Sequence, residues 1–237
     1  MAEHLPSSFD PSRLPTSADG SFSDADIPSG MRSATLEALL QPRISLFWGA
    51  QAPTRSLLTA ATTIAASGLP VRLFDGGNSF DGYFVARLAR QLALASARPP
   101  AHRRSPPPDR ADPLRDAKRD PYDILDRMHL SRAFTCFQLA ELIETAPAGP
   151  EPLFVLDLLA TFYDESVPLR DSERLLATTL THMRRLAAVG PVIVGGREPQ
   201  TLVKERWLLL DQLQAAADAA WMLRPPPTEP VLQPRLF

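Results

Sequence analysis

The 237-residue chain has a single cysteine, Cys136. One cysteine excludes an internal disulfide framework and argues against a cysteine-based metal site. Histidine is scarce too, and His4, His102, His129 and His182 show no ligand spacing. Aromatic residues make up only 7% of the sequence, so a core must rest mainly on Leu, Ala, Val and Ile. Charge of one sign is also lacking: 25 Lys and Arg stand against 27 Asp and Glu. That balance gives no global pull toward nucleic acid or membrane, so any such binding must be local. No apolar run approaches the roughly 20 residues that span a bilayer. The opening MAEHLPSSFD is polar and acidic and does not read as a signal peptide. These absences lead to the expectation of a cytoplasmic protein with no membrane segment, built as one domain with additional segments.

What the chain has in abundance is proline, 25 residues gathered in three stretches. Residues 1–30, rich in Ser, Asp and Pro, bury too little apolar surface to offset ordering entropy and read as a disordered N-terminal arm. Residues 98–121 form a Pro/Arg-rich insert in which Pro106, Pro107 and Pro108 exclude a helix. Residues 225–237 read as an extended Pro-rich tail. The core is then 31–224.

Within the core, apolar runs alternate with helical periodicity. Strands are expected at Ile44–Trp48, Val71–Phe74, Ile124–Leu130, Leu153–Leu156, Val192–Val194 and Asp218–Leu223. Helices are expected at Thr35–Leu40, at Thr54–Ser67 closed by Gly68, at Tyr83–Ala95 with Phe84, Leu88 and Leu92 on one side, at Thr135–Glu144 and at Ser172–Ala188. Such alternation predicts an α/β fold with a mostly parallel sheet covered by helices on both faces. Cys136 and Met183 read as packing residues, and Arg184 and Arg185 as a solvated helix face.

Ligands of open α/β sheets sit at the carboxyl ends of the strands. After the first strand comes Gly49-Ala50-Gln51-Ala52-Pro53-Thr54-Arg55-Ser56. It has the spacing of a P-loop, G-x-x-x-x-G-K-[ST], with its first Gly and final Ser. Thr54 replaces the second Gly, Arg55 replaces the Lys, and Pro53 removes a backbone donor. The same residues also read as a plain strand-to-helix turn with Thr54 as N-cap.

Several segments, taken in order over about residues 31–224, resemble the RecA/RadA recombinase family, in its archaeal and eukaryotic form. After the P-loop helix, Phe74-Asp75-Gly76-Gly77-Asn78-Ser79-Phe80 is similar to the family's D-x-E-G-x-F. Ile124 to Thr135, with Arg132-Ala133-Phe134-Thr135, is similar to its "vldnI-x-x-aRAft" segment. Leu153-Phe154-Val155-Leu156-Asp157 stands as the Walker B strand. The resemblance implies a RecA-like P-loop fold. It implies a degenerate nucleotide site of Gly49, Thr54, Arg55, Ser56 and Asp157, with Ser56 and Asp157 as Mg²⁺ contacts if a Mg-nucleotide binds. The family's catalytic Glu falls at Gly77, and its polar residues after the 191–194 strand fall near Gly195-Gly196-Arg197. The expectation is therefore a pseudo-ATPase with no catalytic residues and no required cofactor.

Two nucleic-acid surfaces are expected for single-stranded DNA: the loop 195–207 with Arg197, Lys204, Arg206 and Trp207, and the basic insert with Arg103 and Arg104. The last five residues, Gln233-Pro234-Arg235-Leu236-Phe237, resemble the peptide by which bacterial repair proteins bind the sliding clamp. Gln233, Leu236 and Phe237 would make that contact. The function expected is a catalytically degenerate accessory protein in DNA repair or recombination, partnered with a recombinase or polymerase. An ATP-dependent recombinase-like regulator, and a small-molecule α/β enzyme unrelated to DNA, remain alternatives.

Overall fold

A computed structural model of the chain describes residues 36–96, 120–200 and 204–223. The N-terminal arm, the tail and the insert up to residue 119 lie outside them, and with these Arg103, Arg104, Gln233, Leu236 and Phe237. A helical turn, α1 (36–39), leads into β1 (Ile44–Gly49). Then follow α2 (Thr54–Ala66), β2 (Val71–Asp75), α3 (Gly82–Ser96), α4 (Pro121–Asp126) and β3 (Met128–Arg132). The second half runs α5 (Cys136–Thr145), β4 (Leu153–Leu156), α6 (Leu169–Ala187), β5 (Val192–Arg197), α7 (Trp207–Ala216) and β6 (Ala219–Met222).

All six strands pair in parallel, in the order β3-β2-β4-β5-β1-β6. The fold is thus α/β with helices on both faces. β4 reads Leu-Phe-Val-Leu and is wholly buried, as a central parallel strand must be. Its Phe154 and Leu156 join Leu57, Leu58, Ala61, Val85 and Ile124 beneath α2, α3 and α4. Its Leu153 and Val155 join Leu139, Ile143, Leu176, Met183, Leu209 and Leu213 beneath α5, α6 and α7. The edge strands β3 and β6 are only half-buried. The connections leaving β1 and β2 run toward the β3 edge, and those leaving β3, β4 and β5 run the other way. Neighbours β2 and β4, and neighbours β5 and β1, therefore send their loops to opposite faces, which opens crevices at these strand ends.

Three expectations change. Ile124–Leu130 is not one strand: Asp120 caps α4 by accepting from Tyr122 N at 2.9 Å, Pro121 opens the helix, and the strand starts at Met128. The last two residues of the stretch read as insert thus belong to the fold. The inner side of α3 is Val85, Ala89 and Ala93, with Phe84 and Leu92 at its margins; small alanines let the helix lie close to the sheet. Arg184 and Arg185 are exposed, as expected, and the Arg185 guanidinium also donates to the carbonyls of Glu144 (2.9 Å) and Ala146 (3.0 Å) and closes the end of α5. Cys136 and Met183 are buried packing residues as expected.

Candidate functional site

The loop after β1 is shaped by its neighbours. A Cβ on Gly49 would collide with the carbonyl oxygen of Leu223, where the chain leaves β6. Leu223 N donates to Trp48 O at 2.7 Å and Glu198 N to Gly49 O at 2.9 Å. Close backbone approach therefore accounts for this glycine. Thr54 is not the N-cap: Pro53 occupies that position without a side-chain cap, and the Thr54 hydroxyl donates to Ser79 Oγ at 3.3 Å. Arg55 extends over the Phe84 ring of α3, 5.6 Å from its centroid, and Ser56 is exposed. Among the described residues, left-handed backbone occurs only at Gly68, Asn78 and Asp157, so residues 49–53 lack the alternation that aims successive amides at one anion.

Two buried aspartates mark the ends of β2 and β4. Asp75 Oδ1 accepts from Ser79 N (2.9 Å) and Ser79 Oγ (3.3 Å), and Oδ2 accepts from Phe80 N (3.1 Å) and faces Arg132 Nε at 3.5 Å. It staples the Gly76–Phe80 turn and links it, through Ser79, to Thr54. Asp157 adopts a left-handed backbone, φ 49° and ψ 57°. Its Oδ2 pairs with Arg197 Nε at 3.2 Å, while Oδ1 is buried without a hydrogen-bond partner. Burial raises its pKa to about 6; Arg197 opposes the shift and the charge of Asp75 adds to it. Gly77 packs against this carboxyl group, since a Cβ there would lie 2.7 Å from Asp157 Cβ and 2.8 Å from Oδ2. Tyr163 Oη donates to Arg197 O at 2.9 Å, and burial, followed by the nearby Asp157 charge, raises its pKa.

Of the expected second DNA loop, residues 201–203 lie outside the described residues, and both flanks belong to regular structure. Gly195, Gly196 and Arg197 belong to β5, and a Cβ on Gly195 would meet Leu57 Cδ1 of α2 at 2.6 Å. Arg206 is buried: its guanidinium donates to Phe162 O (2.6 Å), Val167 O (2.7 Å) and Ser172 Oγ (3.3 Å), and so ties the loop after β4 to α6. It is a structural anchor and not a phosphate contact. Lys204 starts a 3-10 turn and Trp207 starts α7. Sequence reasoning passed over the staple of Asp75; its signal was an Asp four residues before a Ser in a turn.

The structure thus brings Asp157 together with Arg197, and leaves Arg55 and Ser56 outside that contact. These residues do not fit a magnesium nucleotide held in the P-loop manner: Pro53 offers no donor, Arg55 turns to α3, and the acidic group that would face the metal is tied to a guanidinium. Among the described residues no group of three or more His, Cys, Asp or Glu could hold a metal ion, and no helix is long and apolar enough to cross a membrane. Comparison with protein-family models and with curated proteins finds no match to this sequence.

Proposed function

We propose that the chain is a non-hydrolysing RecA-like protein that serves DNA repair or recombination by binding partner proteins. The observation that carries the loss of hydrolysis is the Asp157–Arg197 pair seated against Gly77. A phosphoryl-transfer site needs a metal ligand and a group that positions water. Here the ligand carries its own internal cation, and the space where a Glu side chain would begin is filled by Asp157. The all-parallel sheet, with the P-loop-like turn and Asp157 at its strand ends, supports the RecA-like reading; the family resemblance and the Gln233–Phe237 peptide support the repair role. The partners expected are a recombinase or polymerase and, through Gln233, Leu236 and Phe237, the sliding clamp.

Calorimetric titration with ATP and Mg²⁺ tests the reading, with no saturable binding up to about 1 mM as the expected result. Micromolar binding that disappears in Ser56→Ala would replace it with the nucleotide-dependent regulator.

A further inference from the structure

We infer that the outer face of α3, together with Arg55 of α2, binds single-stranded nucleic acid. The phase of α3 creates this surface. With Val85, Ala89 and Ala93 turned to the sheet, Tyr83, Arg87, Arg90 and Leu94 recur at helical spacing on the opposite side. Tyr83 is 93% exposed and Leu94 65%. Arg55, which the sequence places at a phosphate-binding lysine position, is held over Phe84 and joins the same face. An open groove of about 470 Å³ is lined by Arg55, Tyr83, Phe84, Arg87 and Arg90, and a second, of about 600 Å³, is lined by Phe80, Asp81 and Tyr83.

The chemistry of the surface selects its occupant. None of Arg55, Arg87 and Arg90 has a carboxylate partner among the described residues. The one acidic residue lining the groove, Asp81, uses Oδ1 to accept from Phe84 N at 2.9 Å at the start of the helix. Three guanidiniums with no carboxylate partner among the described residues call for a polyanion. The free Tyr83 ring beside them calls for planar groups that a duplex keeps stacked inside itself and an acidic peptide lacks, whereas single strands offer phosphates and bare bases together. From residue 83 to residue 94 the helix advances about 17 Å, the length of about five stacked nucleotides at ~3.4 Å each. The inference is independent of the RecA-like reading: a protein that binds ATP and also binds DNA here loses the one and keeps the other.

Fluorescence anisotropy of the full chain with a labelled oligothymidylate of about 20 nucleotides tests it. Binding should weaken with salt with a log–log slope of about −2, as three phosphate contacts on a single strand give. Arg87→Ala with Arg90→Ala should weaken binding by at least ~10-fold at low salt and flatten that slope, while Arg87→Lys with Arg90→Lys should keep the slope. Tyr83→Ala should cost ~5–100-fold and Tyr83→Phe little, because the ring rather than the hydroxyl stacks. These side chains are exposed, so each variant should melt with the parent protein. The inference fails if the parent protein does not bind, if the double alanine variant binds as well as the parent, or if a duplex or poly-glutamate of equal length binds as tightly as the single strand.

Discussion

Asp75 and Asp157 end adjacent strands of one sheet, and both are buried, yet their surroundings differ in kind. Asp75 receives three hydrogen bonds and faces a guanidinium, so both of its carboxyl oxygens have partners. Asp157 has one guanidinium, an unpartnered oxygen, a left-handed backbone and a raised pKa. The first holds its own loop together. The second is held, for the loop that follows it is anchored elsewhere, by Arg206. Two acidic residues at strand ends thus do opposite things: one organises structure, the other is a charge the fold contains at some cost.

Removing each group in turn tests that contrast. Asp75→Ala leaves the amides of Ser79 and Phe80 without their acceptor; at about 1–3 kcal/mol for each unsatisfied buried group, a loss of about 2–4 kcal/mol should appear in urea unfolding. A loss below about 0.5 kcal/mol would mean that the turn does not depend on its aspartate.

Gly77→Ala should cost about 1–3 kcal/mol, because its new methyl group enters the space of the Asp157 carboxyl. The same change in an Asp157→Gly background, which removes Cβ as well as the carboxyl group, should cost little, and a double-mutant cycle measures the coupling. Additive effects would show that Gly77 answers to some other neighbour.

The smallest effect has the opposite sign. The pKa of Asp157 is raised from 3.8 to about 6 in the folded chain, so between these values the folded state holds a proton that the unfolded state releases. The stability contributed by this group is full below the unfolded pKa and is lost as pH rises through about 6. Asp157→Asn should match the parent protein near pH 4 and exceed it near pH 7.5 by about 1–2 kcal/mol, read as a melting temperature a few degrees higher. Equal stability of the two proteins across that range would mean that Arg197 fully compensates the buried charge.

The sequence alone carries the α/β class, the parallel sheet and the order of most elements. A continuous apolar run as short as Leu153–Leu156 reads as a buried strand by its length and its place between helical segments, and helical periodicity needs no distant partner to be read. It also placed Asp157 at a strand end and Gly77 where no acidic side chain stands. The helix Pro121–Asp126 was missed, since its residues were read as insert and strand, although Asp120 followed by Pro121 is a helix start. What the charged groups do emerges only on packing. Arg206 looks like a surface charge until carbonyls about 40 residues away in sequence converge on it. Arg55 resembles a phosphate ligand until Phe84 draws it toward α3, and the exposed stripe of α3 depends on whether Val85 or Phe84 turns inward. Apolar burial depends on local pattern and is written along the chain. The fate of a charge depends on which partners the fold brings within hydrogen-bonding distance, and that is settled only when the chain is packed.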